Sequence, residues 1–333
     1  MGFSEQQLRA LPKLELHIHL EGTFDLDTMC RLAEKNGVPL PRPREALISF
    51  SGLSEFLDLL DWICSLAREK KDARDLAYHF AEYAREQGIV YAEVMVNPSH
   101  WKNLAVGDVV SGILEGFDQA GADGLPDCRL LVSLRREQSA ASAEKSVEWV
   151  LSHPHPRLLG LSADGNEALA KDSNRHLAPL FAKAREAGLG VTVHAGESSG
   201  PEGVMAALDC DGAQRIDHGV RAVEDDALLE RLQKDGVPLN VCFTSNVVGG
   251  LYSAETHPLK RLYDKGLLVT VGTDDPMLLD DTLCQELSKV AGQYDWTMED
   301  LVRLQYNAIQ AAFCTEEEKD RLREQLRLFE VSL

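Results

Sequence analysis

The sequence predicts an α/β fold of the (β/α)8 TIM-barrel type, and three observations support this prediction. Short apolar runs alternate with helical segments, and eight such runs occur in 333 residues. Alternating strands and helices form right-handed βαβ crossovers and a parallel sheet, and eight units favour closure into a barrel. The main alternative is an open doubly wound sheet, but no strand is followed by a glycine-rich phosphate-binding loop.

The first strand lies in the stretch LELHIHLEG, residues 14–22. Apolar residues alternate with polar ones there, so one face of the strand is apolar and the other carries His17 and His19. Two imidazoles on one face can bind a single metal ion, and imidazole suits zinc, iron, copper and nickel. A His-x-His pair alone is a weak signal, so the remaining ligands must come from elsewhere in the chain.

An extra helical insertion is predicted after this first strand. Apolar residues recur at helical spacing at Leu53, Phe56, Leu57 and Leu60. Gly37 and Gly88 follow two helical patterns as end signals. The predicted helices of the insertion are Leu26–Asn36, Ser51–Ala67 and Asp72–Gln87.

Seven more strands follow, and helices continue to the C-terminus. The predicted strands are Ile89–Val96, Cys128–Leu134, Leu158–Ser162, Gly190–His194, Ala213–Asp217, Val237–Cys242 and Leu267–Thr273. The predicted helices between them are Val106–Ala120, Ala141–Leu151, Asn174–Ala187, Glu202–Leu208, Glu224–Lys234 and one near Pro258–Lys265. No linker-like stretch divides the chain, so residues 1–333 are predicted to form one domain.

The composition is that of a soluble globular protein and excludes several classes of function. With 54 acidic and 34 basic residues the net charge is −20, which repels nucleic acid and anionic membranes, so neither is an expected partner. The N-terminal residues lack the apolar segment of a signal peptide, which favours a cytoplasmic location. Seven scattered cysteines without a C-x-x-C pair argue against disulfides and cysteine zinc sites. The oligomeric state is left open.

Polar side chains stand where several of the predicted strands end. In a barrel of this type, catalytic residues lie at the carboxyl ends of the strands and in the loops after them. Such residues follow the fifth, sixth and eighth strands, and the first strand carries the histidine pair: His17, His19, His194, Glu197, Asp217, His218, Asp274 and Asp275. Their common position predicts one active site.

Three imidazoles and one carboxylate form a mononuclear zinc site that leaves room for water, whose pKa zinc lowers from about 16 to about 7. A dinuclear hydrolase would typically need a bridging carboxylate or modified lysine after the fourth strand, and residues 158–167 contain no lysine. One metal ion is therefore expected. His218 can take a proton from the attacking water, and Glu197 can give one to the substrate if its pKa is raised.

The motifs HIHLEG, HAGESSGPE, RIDHG, CFTSN and GTDDP, in this order, resemble the adenosine/adenine deaminase family of metal-dependent hydrolases. The resemblance extends from Lys13 to about Gln310. It implies a (β/α)8 barrel with one Zn²⁺ per chain. It also implies that water attacks C6 of a small 6-aminopurine substrate and that ammonia is released.

The resemblance also implies residue roles by motif position. Four residues resemble the zinc ligands: His17, His19, His194 and Asp274. Glu197 resembles the acid that protonates purine N1, His218 the residue that orients and deprotonates the water, and Asp275 the partner of N7. Gly165 resembles the glycine whose N–H meets N3, and His19 and Glu21 also adjoin the substrate. The apolar helix with Leu53, Phe56, Leu57 and Leu60 matches the helix that covers the pocket.

The preferred purine follows less directly from these motifs. Glu21-Gly22 is frequent among free-base adenine deaminases, whereas HAGESSGPEG and RIDHGVRAVED are closer to the nucleoside branch. Ser162 and Asn166 replace aspartates usual in nucleoside deaminases, and Phe243 replaces a usual proline. We favour adenosine, deaminated to inosine, with adenine or a modified adenosine as alternatives. A hydrolase for ester, lactone or phosphoester bonds and an inactive purine-binding protein are hypotheses from other classes.

Overall fold

The computed structural model describes residues 3–50 and 52–332, and its centre is a barrel of parallel strands. The strands are β1 (Lys13–His19), β2 (Ile89–Val96), β3 (Asp127–Arg135), β4 (Leu158–Asp164), β5 (Gly190–Ala195), β6 (Arg215–His218), β7 (Leu239–Val241) and β8 (Val269–Val271). Each pairs in parallel with the next along the chain. The predicted (β/α)8 fold is thereby confirmed.

The barrel closes through contacts between β1 and the residues just after β8. Ile18 forms a parallel bridge with Asp274. The His19 N–H donates to the Asp274 carbonyl oxygen at 2.8 Å, and the Asp274 N–H donates to the His17 carbonyl oxygen at 3.1 Å. These bonds join the first strand to the last, which an open doubly wound sheet could not do.

Fourteen α-helices occur in the described part of the chain, most of them outside the barrel. They are α1 (Glu5–Ala10), α2 (Leu26–Asn36), α3 (Gly52–Ser65), α4 (Lys70–Glu86), α5 (Val106–Ala122), α6 (Ala140–Ser152), α7 (Ala170–Glu186), α8 (Pro201–Ala206), α9 (Asp226–Asp235), α10 (Phe243–Val248), α11 (Leu259–Asp264), α12 (Leu283–Tyr294), α13 (Met298–Ala311) and α14 (Glu316–Ser332). Helices α2–α4 form the predicted insertion between β1 and β2. No helix in the described ranges is long and apolar enough to cross a membrane.

Two short helices, α1 and α10, were not predicted. Helix α1 is six residues long and begins with a capping box in which Ser4 and Gln7 bond each other's backbone N–H groups. Helix α10 begins directly after Cys242, and no side chain caps it. Both are too short for apolar periodicity to identify. Ser51, the predicted start of the second insertion helix, lies outside the described residues.

A buried ion pair closes the barrel at the end opposite the carboxyl ends of the strands. Arg215 at the start of β6 contacts Glu93 on β2 at 2.7 Å, and both side chains are fully buried. The guanidinium also lies 4.3 Å from the centre of the Phe313 ring. Because buried charges are stable only when paired, this contact fixes the positions of β2 and β6.

Candidate active site

The four proposed metal ligands converge at the carboxyl end of the barrel. His19 Nε2 lies 3.1 Å from His194 Nε2. Asp274 Oδ1 lies 3.3 Å from His17 Nε2 and 3.3 Å from His19 Nε2. His17 Nε2 is buried and has no hydrogen-bond partner. Three imidazole nitrogens and one carboxylate oxygen around one point match the donors that zinc prefers, so the residues fit the metal that the sequence predicts.

Asp217 contacts two of these histidines at Nδ1, on the side of each ring away from the candidate metal position. Its carboxylate lies 3.8 Å from His17 Nδ1 and 3.5 Å from His194 Nδ1. It also accepts a hydrogen bond from Asn240 Nδ2 at 2.8 Å, while the Asn240 carbonyl oxygen lies 3.2 Å from His17 Nδ1. A partner behind Nδ1 holds the hydrogen there and turns the Nε2 lone pair toward the metal position.

Two residues of the site have a left-handed backbone conformation. His218 has φ of 65° and Asp274 has φ of 64°. Such angles are uncommon for residues other than glycine and store strain of the order of 1–3 kcal/mol each. The conformation turns both side chains into the space above the strands, where Ser245 Oγ donates to Asp274 Oδ2 at 2.7 Å. His218 Nε2 lies 3.9 Å from the same oxygen.

Glu197 belongs to a loop that a second glutamate holds in place. Glu167 accepts hydrogen bonds from the N–H groups of Gly196 at 3.1 Å, Glu197 at 3.2 Å and Ser199 at 2.8 Å, and from the Ser199 hydroxyl. The Glu167 side chain is buried. One carboxylate thus accepts hydrogen bonds from three backbone N–H groups of the loop after β5. These bonds hold the backbone of Glu197 in place.

The environment of Glu197 raises the pKa of its carboxyl group. Burial, with the nearby charges of Asp274 and Glu167, raises its pKa to about 8. Glu197 Oε2 lies 3.7 Å from His218 Nε2. A protonated carboxyl group beside the metal ligands can act as a general acid.

Asp275 lies against the backbone of the loop after β1. A Cβ atom at Gly22 would lie 2.1 Å from Asp275 Oδ1, so only glycine fits at position 22. Burial and the charges of Asp274 and Glu21 raise the pKa of Asp275 well above its usual range. In the protonated form Asp275 can donate a hydrogen bond, which is what a purine N7 requires.

Two more buried carboxyl groups, those of Glu21 and Asp164, lie near Asp275. Glu21 Oε1 accepts hydrogen bonds from the Asn97 N–H at 2.8 Å and from Trp101 Nε1 at 2.9 Å. Asn97 Nδ2 donates to Asp164 at 2.8 Å, and Ser133 Oγ donates to it at 2.7 Å. Asn97 therefore bonds both carboxyl groups and sets the distance between them.

Gly165 follows Asp164 at the end of β4 and has φ of 83°. A Cβ atom there would lie 2.3 Å from Glu137 Oε2 and 2.8 Å from Arg135 Cγ. Both the backbone conformation and the crowding require glycine. The structure thus explains the residue at this position, and its expected contact with purine N3 stays a prediction.

The insertion helix α3 packs against residues 20–23, which follow the histidine pair. Phe56 stacks edge-on with Phe50, with ring centres 5.2 Å apart. Leu60 is buried and Leu57 is exposed, while the side chain of Leu53 lies outside the described residues. The packing is consistent with a cover over the site, and that role stays a prediction.

The sequence predicted the side chains that meet at the candidate metal site, but it did not predict the residues that contact them. The unpredicted group consists of Asn97, Asp164, Glu167, Asn246 and His257, all buried. Asp164 and Glu167 lie in LGLSADGNE, and Asn246 in CFTSN, so part of the signal was present in the motifs. Asn97 and His257 lie in no recognised motif and come close to the site only through the fold.

Comparisons with known proteins identify the family of this chain. The sequence profile described as adenosine deaminase matches residues 12–328. An adenine deaminase of Sinorhizobium medicae is 34% identical over 316 residues, which cover 94% of this chain and 97% of that protein. The crystal structure of an adenine deaminase from Arthrobacter aurescens has a TM-score of 0.89 at 29% identity, covering 96% of this chain and 99% of that chain.

A second similar structure contains zinc. It is an amidohydrolase from Burkholderia ambifaria with bound zinc, with a TM-score of 0.90 at 27% identity, covering 99% of this chain and 94% of that chain. Together the matches support a hydrolase that acts on the C–N bond of a cyclic amidine, by hydrolytic deamination of an adenine-type purine. The chain belongs to the adenosine deaminase family of metal-dependent hydrolases.

Proposed function

We propose that the protein hydrolyses free adenine, in place of the adenosine that the motifs favoured, to hypoxanthine and ammonia, with one zinc ion held by His17, His19, His194 and Asp274. The observation that supports this substrate is the pair of buried carboxyl groups near Asp275, those of Glu21 and Asp164, which Asn97 holds together. The names of the relatives point in the same direction. When bound, zinc supplies hydroxide near neutral pH by lowering the pKa of water.

Adenine and adenosine differ at N9, which carries a hydrogen in the free base and the sugar in the nucleoside. If N7 faces Asp275, N9 lies on the same five-membered ring and on the side of the two nearby carboxyl groups. Glu21 Oε2 is buried and has no hydrogen-bond partner. The N9–H of adenine can satisfy such an oxygen, whereas a sugar at N9 would need space beside the buried Glu21 and Trp101.

The side chains then act on the purine ring from two edges. Glu197 protonates N1 while water adds to C6, and protonated Asp275 donates a hydrogen bond to N7. The Gly165 N–H contacts N3. Both the proton and the hydrogen bonds stabilise the charge that develops on the ring as C6 is attacked, so they act mainly in the transition state. As the tetrahedral carbon collapses, the proton taken from the water passes to the amino group, which leaves as ammonia, and the proton of the C6 hydroxyl group restores the Glu197 carboxyl group.

The substrate panel that tests this proposal contains adenine, adenosine, 2′-deoxyadenosine, modified adenosines and AMP. We expect kcat/KM for adenine to exceed that for adenosine by about five- to 150-fold, because an unpaired buried polar group costs roughly 1–3 kcal/mol. AMP should be the poorest substrate, since its phosphate meets several carboxyl groups and a net charge of −20. Ammonia release and the change in purine absorbance measure turnover.

The Glu21→Ala variant links this preference to one side chain. Removal of the carboxyl group should improve kcat/KM for adenosine relative to adenine by about five- to 150-fold. Glu34→Ala removes the same charge from an exposed position on α2 and serves as the control. A wild-type enzyme that prefers adenosine, or a Glu21→Ala variant with an unchanged ratio, would contradict the free-base proposal.

The raised pKa of Glu197 predicts the pH dependence of the reaction. Because Glu197 must donate a proton, the active form is the protonated one, and kcat/KM should fall as pH rises through about 8. A glutamate at its usual pKa of about 4.3 would already be ionised at neutral pH. The zinc content measured at each pH is the control, and a profile that stays flat to about pH 10 would exclude Glu197 as the acid.

A further inference from the structure

The buried side chains of His218, Asn246 and His257 form a line of hydrogen bonds that leads away from the candidate metal ligands. Asn246 on α10 stands in the middle. Its Nδ2 lies 3.2 Å from His218 Nδ1, and its Oδ1 lies 3.2 Å from His257 Nε2. His257 lies just before α11 and does not contact the metal ligands in the described structure. All three residues are buried, so the directions of these hydrogen bonds are not averaged by solvent.

The contact between His257 and the backbone of Leu259 determines which atoms donate and which accept along this line of hydrogen bonds. The Leu259 N–H donates to His257 Nδ1 at 3.2 Å, so this nitrogen carries a lone pair. Burial lowers the pKa of His257 to about 4, and the ring is neutral at physiological pH. A neutral imidazole with a lone pair on Nδ1 carries its hydrogen on Nε2. His257 Nε2–H therefore donates to Asn246 Oδ1.

This bond determines which way the Asn246 amide faces. With Oδ1 toward His257, the two hydrogens of Nδ2 meet two acceptors: His218 Nδ1 at 3.2 Å and Glu197 Oε1 at 3.5 Å. The opposite orientation would point the Nδ2 hydrogens at the hydrogen of His257 Nε2. Only one orientation satisfies all three contacts.

The same logic extends to His218. Because its Nδ1 accepts from Asn246, a neutral His218 carries its hydrogen on Nε2. That atom lies 3.7 Å from Glu197 Oε2 and 3.9 Å from Asp274 Oδ2, so the N–H points into the space between the acid and the metal ligand. An Nε2–H can donate to a water oxygen there, but it has no lone pair with which to take a proton.

We propose that Asn246 and His257 are positioning residues for the deamination: they fix His218 in the Nε2–H tautomer. His218 then holds the attacking water as a hydrogen-bond donor, and the proton of that water goes to the Asp274 carboxylate, whose Oδ2 lies 3.9 Å from His218 Nε2. This changes the role expected from the sequence, in which His218 deprotonates the water. The proposal rests on the deaminase chemistry and not on the choice between adenine and adenosine.

Aromatic packing keeps the His257 ring from turning over. The Phe243 ring lies 4.8 Å away at 58°, and the Tyr252 ring lies 5.5 Å away at 66°. Tyr294 Oη donates to the His257 carbonyl oxygen at 3.2 Å. A turned ring would put carbon atoms in the places of Nδ1 and Nε2 and break the bonds to Leu259 and Asn246. Phe243, which stands where the family usually has proline, thus contributes to the direction of the line.

The direct test is the tautomer of His218 in the zinc-loaded enzyme. Long-range ¹⁵N–¹H NMR spectra of protein labelled at its 10 histidines separate the two tautomers, and the signal missing from His218→Gln identifies the residue. We expect the hydrogen on Nε2. A hydrogen on Nδ1 overturns the proposal, whatever any variant does. This outcome is independent of the substrate panel, so failure of the free-base proposal would not be confused with it.

Two variants of one residue test the role of the line in turnover. His257→Phe keeps an aromatic ring but removes the donor, and we expect kcat to fall about 10–100-fold with KM and zinc content unchanged. His257→Gln can place an N–H donor near the same point and should restore most of the loss. His218 should show both tautomers in the Phe variant and mainly Nε2–H in the Gln variant.

The outcomes of these variants are distinguishable from misfolding. Thermal unfolding measured by circular dichroism tests whether each variant is folded, and Asn246→Asp provides a second probe if the Phe variant is not. Asp at position 246 offers acceptors only, so it should force the hydrogen of His218 onto Nδ1 and lower kcat further. Unchanged kcat and tautomer in folded His257→Phe would contradict the proposal, as would equal losses in the Phe and Gln variants.

Discussion

Glu197→Gln will lower kcat by a factor of about 10²–10⁴ while the protein keeps its zinc. The amide has nearly the shape of the carboxyl group, so packing in the pocket should persist. It cannot give up a proton to N1, which removes the general acid. Assays of released ammonia measure the loss of kcat, and elemental analysis measures the zinc content.

The matched control is Glu202→Gln, a similar change five residues along the chain at an exposed position. It should retain near wild-type turnover. Near wild-type activity of Glu197→Gln would place the proton donor elsewhere. Loss of zinc in the same variant would instead show that Glu197 supports the metal site, which its position 3.7 Å from His218 does not predict.

Asp274→Ala will lose most of its zinc, whereas Asp275→Ala will keep zinc and lose turnover. Asp274 Oδ1 lies 3.3 Å from two ligand histidines, so its removal should weaken metal binding beyond the roughly 10–100-fold typical of an outer partner. Asp275 points toward Gly22 and away from this cluster. Loss of its hydrogen bond to the ring should cost about 10²–10³ in kcat.

Asp226→Ala, at an exposed position on α9, controls for the loss of one carboxylate. Zinc content by elemental analysis and kcat by ammonia release are measured on all three variants. Equal zinc contents in the Asp274 and Asp275 variants would refute the division of roles between these neighbours. Two zinc ions per wild-type chain would refute the mononuclear site.

Strand periodicity explains why the candidate metal ligands could be grouped from the sequence. His17 and His19 are two residues apart on β1, so they share a face whatever the details of packing. His194, His218 and Asp274 lie at or just after the ends of β5, β6 and β8, and parallel strands bring those ends together. The motifs then assigned each residue a role by resemblance.

The supporting residues depended on contacts between distant parts of the chain. Asn97 meets Glu21 across 76 positions and Asp164 across 67, and these separations follow from barrel closure and loop paths. The raised pKa of Glu197 arises from burial beside Asp274 and Glu167, a property of the assembled pocket. No local pattern encodes such proximity.

The barrel could be predicted from the sequence, because alternating strands and helices admit few topologies. The grouping of the candidate metal ligands could be predicted as well, because strand ends in a parallel barrel share one edge. The hydrogen bonds from Asn97 and Trp101 to Glu21, and the direction of the hydrogen bonds through Asn246, could be seen only in the fold. That direction begins at the backbone N–H of Leu259, which bonds His257 Nδ1. A hydrogen-bond direction depends on which donor and acceptor the fold places within about 3 Å of each other, and residue types and spacing do not specify this.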